Sequence, residues 1–278
     1  MELNWLQSLL MGLVSGLTDV LPVSSQAHQT FILTFFGDTQ LHPVCRLVIR
    51  LASMLTLFLL CRGQIARIRR QVRLLRLPKR RRTRTPDMAA VMDARIIQTA
   101  LWPICVGIVL YAMFPGVRGN LCWLALGSLM NAVVLYLPRL FRTGDRDSRL
   151  VTPFESIQMG LGVGAAALPG VSSVGVSYSV GILHGMDHGY MIHLTMLMHL
   201  LWNIGMAVCD IIALLAMETA MVYEGVVLAW SLAAGAAALG TVMGYRVLSN
   251  VARRSGLTGF GFYSFGMSLF TFVLYLMV

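Results

Sequence analysis

Charged side chains are scarce in this chain of 278 residues: Asp, Glu, Lys and Arg together make up 12% of it. Soluble globular domains carry about twice that fraction, so the composition excludes an ordinary soluble fold. The hydrophobic fraction is 57% and the mean hydropathy is +0.73. These values are typical of a polytopic membrane protein, whose outer surface faces lipid.

Cysteine is also sparse. The chain has five cysteines, an odd number, and no two of them form a Cys-x-x-Cys pair. This pattern excludes a disulfide framework and a thiolate zinc site of known spacing. We therefore expect free thiols that are mostly buried.

Acidic residues are outnumbered by basic ones, 12 against 22, which gives a net charge of +10. Half of the basic residues fall between Arg62 and Arg84, a stretch without a single acid. A basic block beside an apolar span is typical of a cytoplasmic loop that faces anionic lipid headgroups. We predict a basic cytoplasmic loop at 62–95, and we expect membrane lipids, with no nucleic acid, as partners.

Long apolar runs are abundant, and six of them have about the 20 residues that a bilayer core requires. The predicted spans are Val44–Cys61, Ile96–Phe114, Leu121–Leu137, Met191–Ala216, Gly225–Met243 and Gly259–Leu276. Two further apolar segments, Trp5–Gly37 and Phe154–Gly185, are interrupted by Pro and Ser. Because unpaired backbone is costly in lipid, we predict that each of these two is a pair of half-helices that enters and returns.

The order of these segments predicts the fold class. A broken hairpin and three spans are followed by a second broken hairpin and three spans, and three is odd, so the second half is inserted upside down. We predict an all-α polytopic membrane protein of two inverted-topology repeats, each a re-entrant helical hairpin followed by three transmembrane helices. The chain would form a single membrane domain, 1–278, with repeat one at 1–138 and repeat two at 154–278. The basic segments then lie in the cytoplasm.

Two similar motifs interrupt the broken segments. The first, 21–25, reads Leu-Pro-Val-Ser-Ser, and the second, 168–173, reads Leu-Pro-Gly-Val-Ser-Ser. A helix that begins after the Pro would offer free N–H groups and Ser hydroxyls, which together can hold a phosphate. The alternative is that the serines only cap the returning half-helix. Each motif would form the tip of its re-entrant hairpin, so that the first tip is 21–25 and the second tip is 168–173. The two tips would meet near the middle of the membrane.

The first tip is flanked by ionisable residues. Asp19 and His28 add a carboxylate and an imidazole to Ser24 and Ser25 within ten residues. Ionisable residues inside a membrane are expensive and are candidates for function. We predict a catalytic role for all four residues.

The second tip adds Gly170, Ser172, Ser173 and Ser177. Glycine permits a close approach of the backbone to a ligand, so we expect this tip to bind substrate. For Ser177, close packing of helices through small residues is an equally good interpretation.

Two arginines begin the third membrane element. Arg50 lies far enough inside to reach the tips, where a guanidinium suits a phosphate, whereas we expect Arg46 to extend towards the outer interface. His199 and Asn203 lie one turn apart in a later span, where they could form hydrogen bonds across helices.

Three motifs carry a resemblance to a known family: Gly16–His28, Ile49–Ser53 and Pro169–Gly175. With them, essentially the whole chain resembles the undecaprenyl-diphosphate phosphatase family of the bacitracin-resistance type. The resemblance implies hydrolysis of the terminal phosphate of a C55 isoprenyl diphosphate at a site open to the outer face of the bacterial plasma membrane. This reaction recycles the monophosphate carrier for cell-wall synthesis, and a divalent metal, Mg or Ca, is usually needed. Asp19 would be the metal ligand.

Departures from the family pattern fall within the site. Ser15 and Asp19 stand where the family has glutamates, and Ser173 stands where it has an arginine. Arg50 replaces a neutral residue, and we hypothesise that the arginine has moved from one wall of the site to another. The alternative function is therefore a non-catalytic binder or translocator of a polyprenyl phosphate. The sequence does not decide whether the protein forms a homodimer.

Overall fold

The computed structural model describes residues 4–37, 41–82, 84–117, 119–141, 144–216 and 224–277. These residues form ten α-helices, with short 3-10 turns between some of them and no strand. The helices are α1 (Trp5–Val20), α2 (Ser25–Phe35), α3 (Pro43–Arg76), α4 (Met88–Met113), α5 (Leu121–Tyr136), α6 (Pro153–Gly164), α7 (Ser173–Leu183), α8 (His188–Leu215), α9 (Glu224–Ser255) and α10 (Thr258–Met277). The prediction of an all-α fold is confirmed.

Six helices of the described chain are long and apolar enough to cross a membrane: α3, α4, α5 with its 3-10 extension to Leu140, α8, α9 and α10. They contain the six predicted spans, two of which end one residue beyond the helix. Large apolar side chains cover their outer faces, among them Trp102, which is 79% exposed, and Phe272 and Leu276. Such a surface is stable against lipid and would be unstable in water.

The basic segment 62–95 differs from the predicted loop. α3 continues to Arg76 and α4 begins at Met88, so only residues 77–87 connect them. The helix continues because Arg, Leu and Gln are good helix formers, and no Pro occurs between Pro43 at its start and Pro78.

An ion pair ties the two helices together beyond this connection. The Arg67 guanidinium donates two hydrogen bonds to the carboxylate of Asp87, the N-cap residue of α4. These bonds hold the pKa of the Asp87 carboxyl below its usual range. The basic residues next to the membrane are therefore held on an ordered helix.

Each half of the chain contains two helices that flank a Pro-Ser motif, followed by three helices that could cross a membrane. α1 packs extensively on α9 of the other half, α6 packs on α4, and α5 packs on α10. The helices thus make equivalent contacts when the halves are exchanged, as expected for a repeat. The inverted orientation of the halves stays a prediction.

The contact between α1 and α9 is unusually close. A Cβ at Gly12 would lie 2.1 Å from the carbonyl oxygen of Ala233, and a Cβ at Gly16 would lie 2.0 Å from that of Ala237. Only glycine fits at these positions, because small residues let two helix backbones approach in a membrane. This packing fixes α1, and with it the first tip.

Candidate active site

The two tips touch each other inside the bundle. The Ser172 hydroxyl donates to the carbonyl of Leu21 over 3.3 Å. Asn131 of α5 donates from Nδ2 to the carbonyl of Pro22 at 3.1 Å and to Ser264 Oγ at 3.0 Å, while its Oδ1 accepts from the Ser172 amide at 3.0 Å. One buried side chain therefore holds both tips at a fixed separation.

A cavity of about 390 Å³ lies beside the joined tips. Six of the predicted site residues line it: Asp19, Ser24, Ser25, Arg50, Ser172 and Ser173. Its wall also includes Pro115 and Gly119, which follow α4 at the end of the bundle away from the basic segments. Segments separated by about 150 residues in sequence thus form one polar cavity.

A histidine from α8 links Asp19 to Ser173. His199 Nδ1 lies 2.7 Å from Ser173 Oγ, and His199 Nε2 lies 3.2 Å from Asp19 Oδ2. Asn203, one turn further along α8, donates to the same carboxylate oxygen at 2.9 Å. Only 3% of the His199 side chain and 18% of the Asp19 side chain are exposed. The three groups form a buried Ser–His–Asp arrangement.

His199 Nε2 has two neighbours, the Asp19 carboxylate at 3.2 Å and the Asn203 Nδ2 donor at 3.0 Å, and the carboxylate suits the tautomer that carries its proton on Nε2. An Nε2–H can donate to the Asp19 carboxylate, and a charge-assisted bond of this kind is stronger than a neutral one. Nδ1 then presents its lone pair to Ser173, whose hydroxyl donates to it. In this arrangement the imidazole can accept the serine proton, as a general base does next to a nucleophile.

The other tip serines have different partners. Ser24 Oγ accepts from the amide of Ala27, and Ser172 Oγ accepts from the amide of Gly175, so both cap the helix that follows. Ser25 donates to the Ser15 carbonyl and accepts from Gln29. One serine of each tip thus caps a helix, and both of these serines also line the cavity.

Arg46 and Arg50 share one acidic partner. Arg46 Nε donates to Asp210 Oδ1 at 2.9 Å, and Arg50 Nε donates to Asp210 Oδ2 at 2.6 Å. Arg46 is therefore partly buried in an ion-pair group, and its extension towards the outer interface stays a prediction. Arg46 and Arg50 both line the cavity, where guanidinium N–H groups suit a phosphate. Their two positive charges are matched by Asp210 and by Asp19, the carboxylate of the lining.

Three of the predicted site residues lie outside the cavity lining. His28 contacts the Ser24 carbonyl through Nδ1 and Tyr263 Oη through Nε2, at 2.7 and 2.6 Å. Gly170 supports the second tip instead: its φ is +89°, and a Cβ there would lie 2.4 Å from the Leu124 carbonyl. Ser177 is fully buried, against Gly162. These positions hold the tips and do not face the cavity.

The described residues around the cavity offer few ligands for a divalent metal. Asp19 is the only carboxylate among the described residues of the lining, and it already bonds to His199 and Asn203. In the described parts of the chain, no three His, Cys, Asp or Glu side chains cluster as metal ligands would. The donor set suits hydrogen bonding and proton transfer better than coordination of a divalent ion.

Two residues of this region were not predicted. Asp210 and Asn131 lie in apolar spans, and a buried acid in such a span was a sequence-level indication of function. His199 and Asn203 were expected to bond across helices, and the structure confirms this, but their partners could not be known from sequence.

Comparison with known proteins gives one family. The model of the bacitracin resistance protein BacA matches residues 8–270. "Undecaprenyl-diphosphatase 1" of Shouchella clausii is 24% identical over 290 residues, which cover 98% of this chain and 96% of that protein. "Undecaprenyl-diphosphatase" of Nocardioides sp. is 32% identical over 190 residues, 66% of each chain, and that of Carboxydothermus hydrogenoformans is 24% identical over 209 residues, 75% of this chain and 74% of the other. With its two Pro-Ser tips and nearly its whole length matched, the chain belongs to the bacitracin resistance protein BacA family.

Proposed function

We propose that this protein hydrolyses undecaprenyl diphosphate to the monophosphate and so recycles a cell-wall lipid carrier. The observation that carries the proposal is the cavity, into which two Ser-capped helix N-termini, one carboxylate and Arg50 converge. The relatives named undecaprenyl-diphosphatase support it. Helix N-termini bind phosphate through free N–H groups, and a guanidinium stabilises the charge that develops during phosphoryl transfer.

The lining is divided in a way that suits an amphiphilic substrate. Beside the polar tips it contains apolar side chains, among them Leu33, Leu41, Trp202 and Met206. The diphosphate would occupy the polar part, next to Ser25 and Arg50, and the first isoprene units would pack on the apolar part.

The proposed site faces the outer side of the bacterial plasma membrane. The basic ends of α3 and α9 lie at one end of the bundle and would be cytoplasmic. The cavity wall includes Pro115 and Gly119 from the opposite end. Both the inverted repeat and the homodimer remain predictions, and so does the divalent metal, for which the chain supplies no cluster of ligands in its described parts.

The test is phosphate release from undecaprenyl diphosphate by the purified protein in detergent, with Mg²⁺, with Ca²⁺ and with EDTA. We expect release by the wild type and a loss of about 10²-fold or more in Asp19→Asn. Asp145→Asn is the matched control, because Asp145 is exposed and lies outside the cavity lining. If folded wild-type protein binds the lipid without releasing phosphate, the alternative of a binder or translocator replaces this proposal.

A further inference from the structure

Among the four tip serines, Ser173 is distinguished by its partner. It contacts an imidazole nitrogen at 2.7 Å, whereas Ser24 and Ser172 accept from helix amides and Ser25 donates to a carbonyl. A serine is a weak nucleophile unless a base takes its proton. Of these four residues, Ser173 is therefore the one that the structure equips for attack.

The surroundings of Ser173 can also bind the phosphate group that it would attack. Ser173 is the first residue of α7 and lines the cavity. In the first turn, the amide of Gly175 donates to Ser172 Oγ, whereas the N–H groups of Ser173 and Val174 have no carbonyl partner within the helix and can hold phosphate oxygens. Arg50 faces the same cavity. A phosphate at this helix end would thus meet hydrogen-bond donors, a cation and a hydroxyl next to a base.

We propose that Ser173 is the nucleophile of this site, with His199 as its general base and Asp19 as the positioning residue that orients the imidazole. This proposal rests on the proposed function. It assigns a covalent phosphoserine intermediate to the position where the family pattern has an arginine, and it gives Arg50 the electrostatic role that this arginine would have had.

The reaction would proceed in two balanced steps. In the first, Ser173 Oγ forms a bond to the terminal phosphorus and its proton passes to His199 Nδ1. The bond between that phosphorus and the bridging oxygen breaks, and the leaving undecaprenyl monophosphate takes the electron pair and then the proton from His199. In the second step, a water attacks the phosphoserine and gives its proton to His199. Ser173 Oγ leaves with the electron pair and recovers the proton, which releases inorganic phosphate.

The experiment uses full-length protein and undecaprenyl diphosphate with ³²P in its terminal phosphate. Acid quenching within the first turnovers, followed by peptide mass spectrometry, locates any covalent phosphate, and phosphate release is measured in parallel. The variants are Ser173→Ala, His199→Gln, Asp19→Asn and Ser25→Ala. Ser179→Ala is the matched control, because Ser179 is buried on the same helix and lies outside the cavity lining.

We expect label on Ser173 of the wild type, no label in Ser173→Ala, and a fall in kcat of at least about 10²-fold in Ser173→Ala and in His199→Gln. Asp19→Asn should lower kcat with little change in KM, because it acts through the imidazole. Ser25→Ala should still carry the label on Ser173. The control, Ser179→Ala, should match the wild type in label and in kcat.

Two outcomes would overturn the proposal, and they are distinguishable. Phosphate release by the wild type without label on Ser173, together with a Ser173→Ala variant within tenfold of it, overturns the nucleophile and leaves the proposed function intact. If folded wild-type protein binds the lipid but shows no phosphate release and no label, both the nucleophile and the proposed function are overturned.

Discussion

Arg50 and Asp210 meet at 2.6 Å across the bundle, although 160 residues separate them in the sequence. Asp210 is 3% exposed and Arg50 19% exposed, so the pair is largely removed from solvent. An uncompensated charge at such depth is expensive. The pair therefore fixes the position of a guanidinium that lines the cavity, at the contact between α3 and α8.

Removal of this acid should destabilise the protein. Asp210→Asn leaves Arg46 and Arg50 without this carboxylate. Breaking a buried ion pair lowers the free energy of unfolding by about 3–5 kcal/mol. Because both guanidiniums keep some exposure, we expect a smaller loss of about 2 kcal/mol. Thermal unfolding in detergent measures it, with Asp145→Asn as the control. An unchanged midpoint would show that the ion pairs contribute nothing to stability.

The charge of Arg50 should matter for turnover. Arg50→Gln is expected to lower kcat/KM for undecaprenyl diphosphate by about 10²-fold, because one preorganised donor to a developing charge contributes on that order. Arg50→Lys should keep part of the activity. Arg149→Gln, at a residue 63% exposed and outside the cavity lining, serves as the control. Equal binding and turnover in wild type and Arg50→Gln would remove Arg50 from the mechanism.

Asn131 should contribute more to the stability of the fold than a residue with a single hydrogen bond. Asn131→Ala removes the bonds to Pro22, Ser172 and Ser264 and leaves buried groups unpaired, which we expect to cost about 3 kcal/mol. Ser264→Ala, which loses only one of these bonds, should cost about 1 kcal/mol. Unfolding midpoints of the two variants measure the difference. Equal effects would mean that Asn131 does not hold the tips together.

The close contact between α1 and α9 predicts a steric effect. Gly16→Ala places a methyl group 2.0 Å from a backbone oxygen that cannot move independently, and overpacking of this kind costs about 3 kcal/mol. Gly235→Ala, in α9 with no heavy atom within 4 Å of the new Cβ, should be neutral or stabilise by up to about 1 kcal/mol. Thermal unfolding compares them, and a neutral Gly16→Ala would show that the helices can separate without cost.

The sequence predicts the spans and the tips for physical reasons. Apolar runs of membrane length identify helices without knowledge of their neighbours, and Pro followed by Ser identifies a break and a cap. The extension of α3 beyond Arg62 was missed because charge was taken as evidence of a loop, whereas Arg and Leu are good helix formers.

The partners within the site could not be predicted in the same way. Whether His199 faces Ser173 or His28 depends on how helices from the two halves pack, and that packing is set by contacts such as the Gly16–Ala237 approach. Residue type gave the candidates Asp19, Ser24 and His28, but only the assembled bundle separates the groups that face the cavity from those that support it.

The amide of Asn131, which joins both tips, has a mechanical consequence. A protein that carried its lipid across the membrane would have to part the tips to open the cavity to the other side. That motion would break the bond from Ser172 to Leu21 and the bond that joins Asn131 to one of the two tips, whereas the bond from Asn131 to Ser264 of α10 could persist. At about 1 kcal/mol each, the two bonds would make the parted form about thirtyfold rarer. The hydrogen bonds between the tips therefore oppose a rearrangement of this kind.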